Sequence, residues 1–391
     1  MVLVSAQPES GPTLTVGVPR ETIPGERRVA LTPDVVKRLS GRGFRILVER
    51  EAGVAASYPD GLYTEAGATI VPDVAQLYRE ADVILKVQRP TDDEVPLLRE
   101  GQVIIAFLSP LTRPELVVQL AERKVTALSM DAIPRITRAQ PMDALSSMST
   151  IAGYKAVLLA ANALSKFFPL LMTAAGTIPP ARVLVLGAGV AGLQAIATAR
   201  RLGAVVEAFD TRPVVKEQVE SLGATFLELD VQSSQDASGY ATELEEEHIK
   251  REIALIKEHA ARSDVIITTA LIPGRPAPLL LPEDTVANMR PGSVIVDLAA
   301  EMGGNCELTK PGETIVRHNV TIMGPLNLPS EMAYHASQMY AKNIGALLEH
   351  LAPNANLTFD MEDSITAGVV LTRDGEVLHG PTREWMKERV A

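Results

Sequence analysis

Arg182-Val183-Leu184-Val185-Leu186-Gly187-Ala188-Gly189-Val190-Ala191-Gly192 is the stretch on which the reading of this chain turns. An apolar run that suits a buried strand leads into three glycines spaced G-x-G-x-x-G. A helix-competent run, LQAIATARRL, follows. Glycine spacing alone is weak evidence, but here a strand precedes it, a helix follows it, and Asp210 ends the next β-branched run, VVEAF. That context predicts a dinucleotide cradle. Gly187, Gly189 and Gly192 permit a tight turn and close backbone approach, and the helix beginning near Val190 offers free N–H groups and a partial positive charge to a pyrophosphate. Asp210 can accept from the adenosine ribose hydroxyls and would repel a 2′-phosphate, which favours NAD(H) over NADP(H). Arg212, two residues on, is also the residue type a 2′-phosphate recruits. The competing reading is a glycine turn in an unliganded α/β domain.

Outward from this motif, β-branched runs alternate with helical stretches from residue 182 to 324, through VVEAFD, DVIITTALIP, SVIVDLAAE and VTIMG. An earlier series predicts strands over 14–18, 44–48, 83–87, 103–107 and 125–128, with helices between. Thr32, Pro33 and Gly41 or Gly43 punctuate the first of these helices as N-cap, first residue and left-handed stop. The fold class is therefore α/β, two Rossmann-like doubly wound parallel-sheet domains separated by a cleft. A helix over 147–168 would carry the chain from one to the other. A return helix after Gly324 carries Tyr340, Ile344, Leu347, Leu348 and Leu351 on one stripe, and a short hairpin turns at Asp374 and Gly375. The predicted domains are residues 1–145 with 336–391, and 146–335.

A chain of 391 residues exceeds one hydrophobic core. Its net charge of −11 disfavours nucleic acid and acidic membrane surfaces as partners. Cys306 is the single cysteine, which excludes an intrachain disulfide and a cysteine-based zinc cage, and the six histidines show no paired ligand spacing, so no metal is expected. The amino terminus lacks the pattern of a secretory signal. The apolar region 154–176 is interrupted by Asn162, Lys166 and Pro169, short of a bilayer span. A chain soluble by itself is the expectation.

Only one glycine fingerprint is present. The corresponding turn of the first series, VPRETIPGERRVALTP, has a single glycine between Arg20 and Thr32. One dinucleotide per chain follows, so hydride exchange needs either a small substrate or a second cofactor brought by another protein. The segment Arg135-Ile136-Thr137-Arg138-Ala139-Gln140-Pro141-Met142-Asp143-Ala144-Leu145-Ser146 is rich in donors and acceptors able to fix a nicotinamide carboxamide. It reads equally well as a solvated connector with helix-capping groups. The polar stretch 230–247, with Gly239 and Tyr240 at its centre, has the character of a lid, although such loops are more often merely mobile.

The chain resembles the soluble NAD(H)-binding α1 subunit of proton-translocating nicotinamide nucleotide transhydrogenase over almost its whole length. The resemblance rests on VPRETIPGERRVALTP, PRITRAQPMDALSSMSTIAGYKAV, VLGAGVAGLQAIATARRLGAVVEAFDTR, the SGYA loop, TTALIPGRPAP and LAAEMGGNCELT. It implies that Arg135, Gln140, Asp143 and Ser146 position the nicotinamide ring and its ribose, with Gln140 tuning the approach, and that Ile136, Thr137 and Arg138 belong to the same loop. It further implies that Val190, Asp210, Thr211 and Arg212 hold the pyrophosphate and adenosine, that Gly239 and Tyr240 close over NAD(H), and that Ala270 and Leu271 line the pocket. Implied partners are a second copy of the chain, an NADP(H)-binding β subunit and a membrane-spanning subunit, with the protein peripheral on the cytoplasmic face of the inner membrane.

Alanine dehydrogenases share the fold and are the first rival. Arg28 and Lys86 match the residues with which they bind a carboxylate, but Ser109 stands where they carry an acid/base histidine and Glu301 where they carry an aspartate. Hydride passing directly between two nicotinamides needs no general acid or base. A non-catalytic NAD-binding module is the third reading.

Overall fold

The computed structural model describes residues 14–229, 241–272 and 274–390. The chain divides into two compact units, Met1–Met148 with Ser330–Ala391 and Ser149–Pro329. The sequence reading sets its boundaries at 145/146 and 335/336.

In the first unit a sheet runs in the order Glu376–Val377, Val370–Arg373, Thr126–Ser129, Val103–Ala106, Val83–Leu85, Thr15–Val18, Arg45–Glu49, Thr69–Val71. From Thr126–Ser129 to Thr69–Val71 all pairs are parallel. Val16, Val18, Ile84, Leu85, Ile104 and Ile105 are buried, the residue choice a sheet covered on both faces requires. Thr69–Val71 escapes the sequence reading because three edge residues make no run.

The hairpin at Asp374 and Gly375 is present, with φ of 51° and 87° matching the strand twist. It lies antiparallel along Thr126–Ser129, so this edge departs from the all-parallel expectation. Pro33 opens helix Pro33–Ser40, and Gly43, at φ 92°, provides the left-handed stop, whereas Gly41 is right-handed. Thr32 occupies the cap position, but its hydroxyl donates to Asp34 Oδ1 (2.5 Å) and caps no backbone N–H. The return helix is Ala333–Leu351 and buries the whole predicted stripe. Tyr340 Oη donates to the Lys86 carbonyl (2.7 Å), and Asn343 Nδ2 to that of Pro141 (2.8 Å).

The connecting helix is Ala144–Ala163, starting three residues earlier than the sequence suggests because Asp143 terminates the preceding turn and accepts from the Ser146 N–H (2.9 Å). Among the described residues it is the one helix long and apolar enough by length and composition to cross a membrane, whereas the sequence reading finds its most apolar region at 154–176 and expects no span there. Its Ala156, Val157 and Ala160 are core residues of the second unit, packed with Val183, Val185 and Ala195.

The second unit's sheet runs Thr225–Phe226, Val205–Phe209, Arg182–Leu186, Val265–Thr268, Val294–Asp297, Val320–Met323, Thr314–Arg317. All pairs are parallel except the last, in which Thr314–Arg317 turns directly into its neighbour Val320–Met323 as an antiparallel edge. Strand order reverses direction between Arg182–Leu186 and Val265–Thr268. A crevice at the C-terminal ends of strands at such a switch point is where open α/β sheets take ligands. A separate two-stranded hairpin, Leu171–Thr173 with Gly176–Ile178, was not foreseen from the sequence.

Candidate functional site

Strand Arg182–Leu186 ends at the switch point, and Gly187 turns the chain with φ 97°. Helix Val190–Arg201 begins immediately after Gly189. A Cβ on Gly192 would stand 1.9 Å from the Gly187 carbonyl oxygen, so only glycine lets the first helical turn close onto the strand end. A Cβ on Gly189 would meet nothing within 4 Å. The third glycine is thus a packing requirement, while the middle one borders open space at a helix N-terminus where no side chain caps the N–H groups. Backbone donors beside a vacant approach fit a pyrophosphate.

Asp210 lies beside this turn. Its Oδ2 accepts from the Ala188 N–H (2.7 Å) and from Arg212 Nη2 (2.9 Å), and its Oδ1 from Arg212 N and Nε (both 2.9 Å). Burial pushes the carboxyl upward, but the Arg212 guanidinium and the two backbone donors outweigh that and hold it below the usual aspartate range. Arg212 therefore pairs bidentately with Asp210, which leaves the local charge balance less suited to a 2′-phosphate than a free arginine would be. Val190, Thr211 and Arg212 are exposed around the turn.

Ala270 and Leu271 follow strand Val265–Thr268 on the other side of the switch point. Thr269 Oγ1 donates to the Gly187 carbonyl (3.1 Å) and fixes this strand end against the glycine turn. Thr269 and Asn305, which holds Ala270, were missed from the sequence. Their only signal is their place in TTALIPGRPAP and LAAEMGGNC. Gly187, Gly189, Val190, Gly192, Asp210, Thr211, Arg212, Ala270 and Leu271 are thereby collected at one sheet edge. Gly239 and Tyr240 lie outside the described residues.

The remaining predicted residues belong to the first unit. Arg135, Ile136, Thr137, Arg138 and Gln140 are exposed on and just before the 3₁₀ turn Thr137–Met142. The Arg138 guanidinium pairs with Asp363, the N-cap of helix Ser364–Val369. Asp143 accepts from the backbone N–H and hydroxyl (2.6 Å) of Ser146, a helix-capping arrangement.

Arg28 and Lys86 are both buried and both answered from within. Glu26 accepts from Arg28 Nε (2.8 Å) and Nη2 (2.6 Å), and Glu94 accepts from Lys86 Nζ (2.8 Å) with Glu21 3.4 Å away. Burial pushes Glu21 up to about 7, more strongly than Lys86 and the Val87 N–H lower it. Ser109, at φ 51°, donates its backbone N–H to Asp131. His259 is engaged with Glu207, His318 with Glu283, His350 with Asp363 and His379 with Thr382, while the His335 ring lies edge-on to Tyr334. Glu301 accepts from the Asn327 N–H. No group of three metal-ligating side chains occurs among the described residues.

Residues 17–152 match the family model for the alanine dehydrogenase/PNT N-terminal domain, and residues 156–380 that for the C-terminal domain. The chain belongs to the alanine dehydrogenase/PNT family. The first of the polypeptides that make up NAD(P) transhydrogenase subunit alpha in Rhodospirillum rubrum is 50% identical over 379 residues, covering 94% of this chain and 98% of the relative. The Haemophilus influenzae subunit alpha is 47% identical over 93% of this chain and 71% of its own length. An alanine dehydrogenase of Halomonas elongata is 32% identical, covering 83% of this chain and 84% of the relative. Among solved structures, a transhydrogenase from Sinorhizobium meliloti matches with TM-score 0.85 and 45% identity, covering 93% and 99% of the two chains. An L-alanine dehydrogenase matches at 0.81 and 27%, covering 96% and 99%. The transhydrogenase branch of the alanine dehydrogenase/PNT family is therefore more similar in sequence, and the fold is common to both.

Two outcomes follow for this family member. Gly192→Ala should cost about 1–3 kcal/mol through overpacking, measured by urea unfolding, whereas Gly189→Ala should unfold like the wild type yet lose dinucleotide affinity in a fluorescence titration. The folded protein holds the Glu21 proton up to about pH 7, against 4.5 for the unperturbed group. This group's stability contribution is therefore full below about pH 4.5 and lost as pH rises to 7. Glu21→Gln should remove that slope, and melting temperatures between pH 5 and 8 that fall equally in both proteins would contradict it.

Proposed function

We propose that this chain is the NAD(H)-binding subunit of a proton-translocating transhydrogenase and works with an NADP(H)-binding partner subunit. The observation that carries this reading is the single glycine cradle at the second unit's switch point, set beside Asp210 and Thr269. When bound, NADH supplies the hydride that passes to NADP on the partner. The helix N-terminus at Val190 and the turn Gly187–Ala188–Gly189 hold the pyrophosphate, Asp210 accepts from the adenosine ribose, and Thr211 and Arg212 flank it. Ala270 and Leu271 border the nicotinamide half. Arg135, Ile136, Thr137 and Gln140 orient the carboxamide and ribose, with Asp143 and Ser146 fixing the start of their helix and Arg138 fixing the turn through Asp363. The chain contributes position and exclusion of water rather than proton transfer.

A dehydrogenase acting on a keto acid would need Arg28 and Lys86 free for a carboxylate. Glu26 and Glu94 already occupy them, which weighs against that reading, as does Ser109 in place of a histidine. Docking to a membrane-spanning partner subunit makes this chain peripheral on the cytoplasmic face of the inner membrane. A second copy covers the apolar hairpin Leu171–Thr173 with Gly176–Ile178, whose Met172 is 79% exposed beside exposed Phe167 and Leu170.

Mixed with an NADP(H)-binding partner subunit, the chain should transfer hydride between NADH and NADP. It should not oxidise NADH with pyruvate and ammonia. Gln140→Asn should slow the transfer by tenfold or more with NADH affinity unchanged, and unaltered rates would remove the role of Gln140. In sedimentation analysis Met172→Asp should shift the protein from dimer to monomer.

A further inference from the structure

Asp297 ends strand Val294–Asp297 and is completely buried. Its four acceptor positions are filled by the hydroxyls of Thr268 (2.8 Å) and Thr309 (2.7 Å) and the N–H groups of Ala299 and Cys306 (both 3.0 Å). These contacts fold residues 299–309 tightly around the carboxylate. They present Asn305, itself fully buried, to the segment that leaves the neighbouring strand Val265–Thr268. Asn305 Oδ1 accepts from the Ala270 N–H (3.1 Å), while Nδ2 donates to the Ala270 carbonyl (2.9 Å) and the Pro278 carbonyl (2.8 Å). The Asn305 carbonyl also accepts from the N–H groups of Leu280 (2.9 Å) and Leu281 (3.0 Å). The amide thus replaces a neighbouring strand just where regular pairing stops, gripping Ala270 at both its donor and its acceptor.

One residue before Ala270, Thr269 rests on the Gly187 turn through its hydroxyl. Every member of the series Asp297, Asn305, Ala270, Thr269, Gly187 lies in the second unit. In a doubly wound sheet the adenosine half of a dinucleotide lies over the strand that ends in the acid, here Asp210, and the other half lies beyond the switch point, over Val265–Thr268. Ala270 borders that second half only.

We infer that Asn305 is a positioning residue for the nicotinamide half of the dinucleotide, acting by clamping the backbone of Ala270. The inference rests on the NAD(H) reading above. With its amide spent on Ala270 and Pro278, Asn305 acts through the backbone: it fixes the wall at Ala270 and Leu271 without contributing to the Asp210 side. Its loss therefore discriminates between ligands: NADH spans both halves, and adenosine 5′-monophosphate fills only the adenosine half. A side chain that merely supported the fold would weaken both alike.

The test titrates full-length wild type, Asn305→Ala and the isosteric Asn305→Asp with NADH and with adenosine 5′-monophosphate, and follows amide hydrogen exchange across residues 269–272. The aspartate keeps an acceptor for the Ala270 N–H but offers no donor to the two carbonyls. Both variants should bind NADH roughly tenfold more weakly than wild type, bind adenosine 5′-monophosphate within twofold of wild type, and exchange faster at 269–272. Unchanged NADH affinity, equal weakening of the two ligands, or failure of both variants to fold would overturn the role. Wild-type protein that binds adenosine 5′-monophosphate but not NADH would instead overturn the NAD(H) reading itself.

Discussion

The second unit depends on the contact between Gly192 and the Gly187 carbonyl. With no Cβ in the way, helix Val190–Arg201 starts hard against the end of strand Arg182–Leu186, and its unsatisfied N–H groups open at the switch point of the sheet. Thr269 ties the next strand end to the same turn, and the Ala188 N–H ties Asp210 to it. A packing constraint has in this way become a chemical one, because a helix start that could not close would point its donors elsewhere. Asp210 is an extension of the same geometry, since the turn and Arg212 hold its carboxyl below the usual aspartate range.

The first unit has the same doubly wound order without the same consequence. After strand Thr15–Val18 the chain runs through Gly25 and a buried ion pair, Glu26 with Arg28, before helix Pro33–Ser40 begins. Among the described residues, no helix N-terminus opens directly at the end of that strand. The polar residues there are turned inward, Lys86 onto Glu94 and Tyr340 onto the Lys86 carbonyl. Two sheets of one architecture have therefore diverged according to where the first helix starts.

Much of this was legible in the sequence, and for physical reasons. The buried strands Val83–Leu85, Val103–Ala106, Arg182–Leu186 and Val265–Thr268 are continuous apolar runs, and the glycine spacing carries its geometry in its own steric demands. The capping pair Asp143 and Ser146 was visible only as one of two readings, because the same polar atoms suit a ligand or a helix end. Antiparallel edges such as Thr314–Arg317 went unread, since an edge strand with one exposed face resembles a loop. The engagement of Arg28 and Lys86 by glutamates was equally hidden: Glu94 is near Lys86 in sequence, but Glu21 reaches it only through the crossover of the sheet. Nothing in the sequence beyond its place in LAAEMGGNC marks Asn305, because its partners at Ala270 and Pro278 come from another strand connection.

Equilibrium titration of the purified chain with NADH and NADPH, followed by nucleotide fluorescence and calorimetric stoichiometry, addresses the cradle and its acid together. One NADH per chain, with NADPH at least tenfold weaker, is the result expected of a single glycine turn beside an ionised Asp210. Equal affinities for the two nucleotides, or two nucleotides bound per chain, would contradict it.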